Sequence, residues 1–241
     1  MSNPASNPMT KPIKSLFAKL SNLFWVVVIT LSISYVALAF LLFKSYNLSI
    51  RRSWARFVRR ALNYEIKIFG EIKDVDMLII NHASMLDIIV LEEIYPKNLC
   101  WIAKKEIGEL PFYGNIIKVP KMISIDRSSA KDFIRVMREA KERLKEGRIL
   151  AIFPEGTRNN GKQLLPFKKG SAMLVDKLGL RAQMLVIKGS QDIMESRKMQ
   201  LTRGLKLEIH FLELIDKSNP NWLEAAQSRM QEALDIARST K

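Results

Sequence analysis

An α/β layer architecture, with a central mixed, largely parallel sheet flanked by helices, is the fold class this sequence predicts. Three observations carry it. From about residue 65 onward, apolar runs of four to six residues alternate with segments of helical periodicity. Gly147 and Pro154 fall at the joints between such segments, where a helix stops or a strand ends. No internal repeat or low-complexity stretch appears beyond the polar first ten residues, which excludes solenoids and propellers. At 241 residues the chain has room for one domain and an appendage. The expected division is a polar, basic tail over 1–20, a membrane-anchoring helical segment over 21–64, and an α/β domain over 65–241.

The appendage comes first. Leu23 to Phe43 are 21 residues without a charge, a proline or a glycine. That length crosses a bilayer as a helix, and no small-residue cleavage site follows to mark a removable signal. A second helix is expected over 48–63. There Ile50, Trp54, Phe57, Val58, Ala61 and Leu62 share one apolar face, while Arg51, Arg52, Arg56, Arg59 and Arg60 fall on the other side. A basic amphipathic helix with a tryptophan suits the headgroup layer of an anionic membrane. Lys44 and the five arginines make the C-terminal flank the more basic one, which places the globular domain on the cytoplasmic side of the inner membrane. Lys11, Lys14 and Lys19 make the other flank basic too. A re-entrant helix pair dipping into one leaflet therefore stands beside a full span.

Within the domain, Met77–Ile80 reads as a buried strand, and Ser84 caps a helix running to about Tyr95. Leu99–Ala103 and Met122–Ile125 read as further strands. Phe133, Val136, Met137, Ala140 and Leu144 mark a helix ending at Gly147. Arg148–Phe153 is a strand stopped by Pro154. A short helix over Gly170–Leu178 precedes a strand at Met184–Lys188. Leu205–Ile215 alternates as a half-buried strand does, and Trp222–Ala237 closes the chain as an amphipathic helix.

Charge narrows the partners. Thirty-nine Lys and Arg against 24 Asp and Glu give a formal charge of +15, so an anionic partner is expected. No zinc finger, helix-turn-helix or aromatic–basic RNA motif is present, and membrane phospholipid rather than nucleic acid is the expected polyanion. The single cysteine, Cys100, lies in an apolar run; it excludes an intrachain disulfide and a cysteine-based metal cage.

Two short segments carry chemistry. His82 follows the Met77–Ile80 strand, and Asp87 lies five residues on, in the first turn of the next helix. Across that junction the carboxylate reaches the imidazole, fixes its tautomer and leaves the other ring nitrogen as a general base. Phe153-Pro154-Glu155-Gly156-Thr157-Arg158 ends a strand on a glycine turn. Gly156 lets the backbone approach a ligand, Arg158 offers a planar fork to a phosphate, and Glu155 is placed to orient basic groups. Gly156 to Lys162 matches the spacing of a nucleotide-binding loop, but Gln163 lacks the hydroxyl that would hold Mg²⁺ and Pro166 interrupts the following helix. No Gly-x-Ser-x-Gly elbow is present. Without a protein nucleophile, the histidine is expected to activate a hydroxyl on the substrate.

His82-x4-Asp87 followed by Phe153-Pro154-Glu155-Gly156-Thr157-Arg158 resembles the ordered motifs of the glycerolipid acyltransferases, above all the bacterial 1-acylglycerol-3-phosphate (lysophosphatidic acid) acyltransferases. Two intervening blocks fit as well: Ile102-Ala103-Lys104-Lys105-Glu106-Ile107 with Pro111 and Gly114, and Ile123-Ser124-Ile125-Asp126-Arg127. The resemblance implies a glycerol-3-phosphate acyltransferase-like sheet and transfer of an acyl chain from acyl-CoA or acyl carrier protein to the 2-hydroxyl of lysophosphatidic acid. It implies His82 as base and Asp87 as its orienter. Lys104, Arg127 and Arg158 would hold the phosphate, and Glu155, Gly156 and Thr157 would shape the acceptor loop. It implies no cofactor and no metal. Another lysolipid acceptor on the same scaffold is the nearest alternative, and a non-catalytic basic membrane-binding module the distant one.

Overall fold

A computed structural model of the chain describes residues 10–126 and 129–239. The first helix, α1 (Thr10–Leu42), is 33 residues long and starts well before the expected Leu23. Pro12 does not prevent this, because it stands in the first turn, where a missing N–H breaks no helical bond. The expected tail over 1–20 is therefore helical in its second half, and residues 1–9 lie outside the described residues. A turn of 3₁₀ helix at Lys44–Tyr46 leads into α2 (Asn47–Leu62). That helix ends on Asn63 in the left-handed region, a position asparagine tolerates.

The strands follow as β1 (Glu65–Phe69), β2 (Met77–Ile80), β3 (Leu99–Lys104), β4 (Ile123–Ile125), β5 (Ile149–Ile152) and β6 (Ala182–Lys188). A two-stranded hairpin, β7 (Met194–Glu195) and β8 (Gln200–Leu201), precedes the long β9 (Lys206–Leu214). The helices between them are α3 (Leu86–Ile94), α4 (Lys105–Glu109), α5 (Asn115–Lys118), α6 (Ala130–Lys145), α7 (Lys169–Leu178) and α8 (Ser190–Ile193); α9 (Trp222–Ser239) comes last. Among the described residues the main sheet has seven strands in the order β1-β9-β6-β2-β5-β3-β4. From β6 to β4 every neighbouring pair is parallel, and only the β6–β9 pair is antiparallel. The sheet is thus mixed and largely parallel, as the alternation of elements predicts. The β1 strand and the β7–β8 hairpin are not among the expected elements.

Because side chains alternate along a strand, the buried strands feed two cores. Leu78, Ile80, Trp101, Ala151, Leu185 and Ile187 face α2 and α3. Met77, Ile79, Cys100, Ile102, Leu150 and Met184 face α6, α7 and α9. Ala55, Val58 and Leu62 of α2 belong to the first core, joined by Ile29 of α1. The expected boundary at residue 64/65 therefore does not separate two bodies; the second helix of the appendage is part of the domain's packing.

Arg51 corrects the expected arginine face. It is 6% exposed and pairs with Glu92 and Asn98 instead of facing outward. Arg52 also turns in, donating to the carbonyls of Tyr95 and Pro96. Along α1, Ile29, Val36, Ala37 and Phe40 are buried, while Leu16, Leu20, Leu23, Phe24, Leu31, Leu38 and Leu42 are exposed. Lys19–Leu42 contains an 18-residue stretch of mean hydropathy 2.4 and is long and apolar enough to cross a membrane.

Candidate active site

His82 and the loop after β5 meet where parallel sheets bind ligands. The chain leaves β2 through α3 on one face of the sheet and leaves the adjacent β5 through α7 on the other. Two neighbouring parallel strands whose connections depart to opposite faces open a crevice at their C-terminal ends. His82 lies two residues past β2, Pro154 two residues past β5, and Lys104 at the end of β3. The topology thus brings three separated motifs to one edge. Asp126 follows β4 at the same edge, and the expected phosphate ligand Arg127 lies outside the described residues.

The His82 imidazole is held by short-range geometry. Asn81, just before it, exchanges two hydrogen bonds with Ile187 at the end of β6, at 3.0 and 2.7 Å, and so fixes where the strand ends. His82 Nδ1 stands 2.9 Å from Asp87 Oδ2. The same oxygen accepts the backbone N–H groups of Ala83 at 2.8 Å and Ser84 at 2.9 Å. Asp87 is fully buried, whereas the His82 side chain is 14% exposed. With the carboxylate accepting at Nδ1, that nitrogen carries the proton and Nε2 is left with its lone pair. The imidazole also lies on the Phe153 ring, with centroids 3.8 Å apart and planes 12° from parallel.

The loop after β5 is organised by Glu155. Gly156 N–H donates to the Phe153 carbonyl, closing a turn with Pro154 at its second position and Gly156 at φ +74°. Glu155 is 1% exposed and accepts from the backbone N–H of His82 at 2.8 Å and of Leu165 at 2.7 Å. Asn159 Nδ2 donates to both of its oxygens at 2.9 Å. Burial pushes this carboxyl above the ordinary carboxylate range, opposed by those N–H donors. Glu155 thus orients the His82 backbone and the loop, where the sequence suggested that it would orient basic groups.

Thr157 is exposed and Arg158 half-buried at the crevice mouth. Among the described residues the Arg158 guanidinium makes no ion pair, and Arg197 Nη2 donates to the Arg158 carbonyl at 2.6 Å. Lys104 Nζ is 2.8 Å from Glu106 Oε1, both side chains being more than half exposed. Such a pair is worth little in water and yields readily to a dianionic phosphate.

Two contributors escape a reading of the sequence. Asn159 is buried, and its N–H donates to the His82 carbonyl at 2.7 Å, so it joins the two motifs directly. Arg197 reaches the site through the β7–β8 hairpin, which no local pattern announces. The hairpin is itself tied to the site, since Ser84 Oγ donates to the Met194 carbonyl at 2.6 Å. Gln183, a polar residue within a buried strand, lies at the far end of the sheet. There its amide bonds the Glu71 and Leu212 carbonyls and the Lys73 N–H. On the α6/α7 face, a cleft of about 620 Å³ runs beneath the loop, lined among others by Ile102, Ile125, Phe133, Ile152, Gly156 and Gly170.

An imidazole–carboxylate pair at the switch point of a parallel sheet, beside an arginine that makes no ion pair among the described residues, is an arrangement suited to group-transfer chemistry in an α/β domain. Residues 75–188, just under half of the chain, form a domain that matches the family model described as Acyltransferase. The chain is 42% identical over 160 residues to a 1-acyl-sn-glycerol-3-phosphate acyltransferase of Helicobacter pylori strain J99, a match covering 64% of this chain and 66% of that one. It is 29% identical over 145 residues to a lyso-ornithine lipid O-acyltransferase of Brucella abortus, covering 58% and 54%. These matches span between half and two thirds of the length of either relative. A crystal structure of the 1-acyl-sn-glycerophosphate (LPA) acyltransferase PlsC from Thermotoga maritima superposes with a TM-score of 0.72 at 21% identity, covering 93% of this chain and 99% of that one. That likeness extends the shared fold over nearly the whole chain.

Proposed function

We propose that the protein moves an acyl chain from acyl-CoA or acyl carrier protein to the 2-hydroxyl of lysophosphatidic acid, giving phosphatidic acid at a membrane surface. The observation that carries this reading is the His82–Asp87 pair beside the unpaired Arg158. His82 Nε2 removes the hydroxyl proton as the oxygen attacks the thioester carbonyl. Asp87 stabilises the imidazolium so formed. Collapse of the tetrahedral intermediate breaks the C–S bond, and the imidazolium returns its proton to the departing thiolate. The N–H groups of Ala83 and Ser84 are spent on Asp87, and that of Gly156 on the Phe153 carbonyl, so these three do not serve the oxyanion. Arg158, Lys104 and Arg127 hold the acceptor phosphate, and the +15 charge draws anionic substrates towards the domain.

The test is acyl transfer by the purified full-length chain, with both donors and with lysophosphatidic acid and lyso-ornithine lipid as acceptors. Absence of turnover with every pair sinks the enzymatic reading and leaves a membrane-binding module. Turnover with the lyso-ornithine acceptor alone moves the acceptor, which the Brucella relative makes the specific competitor. Arg158→Ala is expected to raise the KM for the phosphate-bearing acceptor by about 10- to 100-fold, the equivalent of about 1.5–3 kcal/mol for charged hydrogen bonds. An unchanged KM would remove Arg158 from the phosphate site.

The cleft beneath the loop suits the donor's acyl chain, being largely apolar at its base and within the usual size of a ligand site. A Cβ added at Gly170 meets nothing within 4 Å. Gly170→Phe is therefore expected to fold and to shift donor preference to shorter chains, read with a ladder of acyl lengths. An unaltered ladder places the chain elsewhere.

Attachment to one leaflet is the reading of α1 and α2 that the packing favours, and the more basic C-terminal flank of the apolar run supports a domain on the cytoplasmic face. Asn22 bonds Met199 and Leu201, Ser34 Oγ lies 2.8 Å from the Tyr113 hydroxyl, and Phe40 is fully buried. From Asn22 to Phe40 the helix runs about 27 Å along the domain, most of the length it would need to cross a hydrocarbon core. With the native Cys100 buried and silent, Lys19→Cys and Asp216→Cys are expected to react with an impermeant maleimide from the same side of membrane vesicles. Labelling from opposite sides would establish a full span.

A further inference from the structure

We propose that Arg51, Glu92 and Trp101 are positioning residues for His82, acting through Phe153, so that the plane of the base depends on how α2 is seated against the domain. The proposal rests on His82 being the base.

A continuous set of contacts runs from the amphipathic helix to the imidazole. Arg51 of α2 and Glu92 of α3 form an ion pair in which both side chains are 7% exposed. The Glu92 oxygen that takes the guanidinium, Oε1, also accepts the Trp101 indole N–H at 2.7 Å. The other arm of the guanidinium donates to Asn98 Oδ1 at 2.7 Å. The indole of Trp101 then lies on the Phe153 ring, with centroids 5.3 Å apart and planes at 20°, and Phe153 lies on His82 at 3.8 Å and 12°. Three near-parallel rings thus end on a buried charge pair, and the pair's cation belongs to α2.

The Asp87 hydrogen bond fixes one atom of the imidazole but leaves rotation about the Nδ1···Oδ2 direction. Contact with the Phe153 face restrains that rotation, because aromatic rings prefer offset-parallel or edge-on contacts over intermediate tilts. Phe153 stands at the open end of β5, where the strand stops at Ile152 and Pro154 turns the chain away. Its plane is therefore set by what packs on it, and Trp101 is the ring that does so from within the sheet. Buried ion pairs contribute little net stability against an apolar replacement, and their best-attested use is to fix register. Here the register fixed is that of α2 against β3. Trp54 of the same helix donates to Ser32 Oγ of α1 at 2.9 Å, so the seating of the two appended helices is passed along this line.

The chain has two histidines, His82 and His210. In a His210→Gln background, the full-length protein in micelles shows a single histidine by NMR, and the ring current of Phe153 marks its Hε1 and Hδ2 resonances. Trp101→Leu is expected to move and broaden those resonances, and to lower kcat by about tenfold or more with the acceptor KM within twofold, since small misplacements of a reacting group cost rate and not binding. Trp101→Phe, which keeps a ring on Phe153, should restore most of both. Glu92→Gln combined with Arg51→Met leaves an acceptor for the indole but removes the charge pair; it should move the resonances in the same direction and by less. Unmoved resonances in Trp101→Leu and in the double variant overturn the proposal, even if thermal stability falls, because a purely structural role would lower stability alone. Should Trp101→Leu not fold, the double variant and Trp101→Phe decide by the same readout. A parent chain without acyl transfer defeats the catalytic reading, while the resonances still report whether the ring contacts follow Arg51 and Glu92.

Discussion

His82→Ala is expected to lower kcat/KM for acyl transfer by about 10³-fold, within the 10²–10⁴ range that general bases contribute and equivalent to about 4 kcal/mol of transition-state stabilisation. Among the described residues no other imidazole or thiol stands at the crevice. His210 sits on β9, stacked on Phe69 at 4.6 Å, and Cys100 is fully buried in the core beneath α6. Neither can inherit the proton. The alanine leaves the Glu155 bond to the backbone N–H at position 82 in place, so the loop, Arg158 and the acceptor KM should be preserved. His210→Gln is the matching control and should retain full rate. Steady-state rates at saturating donor check both, and a His82→Ala rate within threefold of the parent would remove the base from the mechanism.

Asp87→Asn should cost about 10²-fold in kcat, and the structure dictates why. Three donors converge on Oδ2, whereas Oδ1 is buried without a partner. The N–H groups of Ala83 and Ser84 select the amide oxygen of an asparagine for the Oδ2 position and leave its NH₂ at Oδ1. Nδ1 of His82 therefore keeps its acceptor and its tautomer. What disappears is the negative charge that steadies the imidazolium, a loss of about 3 kcal/mol for a charge-assisted bond in a water-poor site. The acceptor KM should be unchanged. A kcat within threefold of the parent would mean that Asp87 serves only to shape the turn.

The parts of this site that are legible in the sequence are the local ones. His82 and Asp87 sit five residues apart across one strand–helix junction, and Gly156 makes a turn with its immediate neighbours, so spacing alone specifies both geometries. Strand and helix alternation likewise yields the parallel sheet, because each apolar run reports its own burial. Arg51 shows where this stops. A helical wheel places it with Arg52, Arg56, Arg59 and Arg60, but nothing local reveals that Glu92 of another helix waits opposite. Glu155 is similar: its position in the loop is evident, whereas its bonds to the N–H groups of His82 and Leu165 need the folded chain. Asn159 and Arg197 are illegible for the same reason, since the groups they bond belong to residues 82 and 158 and are set by the sheet order.

The parallel pairing of β1 with β9, Glu65 against Lys206 through Phe69 against His210, sets a timetable for biogenesis. Chains emerge from the ribosome N-terminus first, at about 5–20 residues per second. The apolar helix and its arginine-bearing companion are therefore made roughly ten seconds or longer before the partner of β1. Until then β1 carries an open edge that can pair with another chain, and β6 lacks its antiparallel neighbour. Arrival of the last forty residues closes both edges at once. A nascent chain stalled before Lys206 would thus hold β1 without a partner and β6 paired with β2 on one side only.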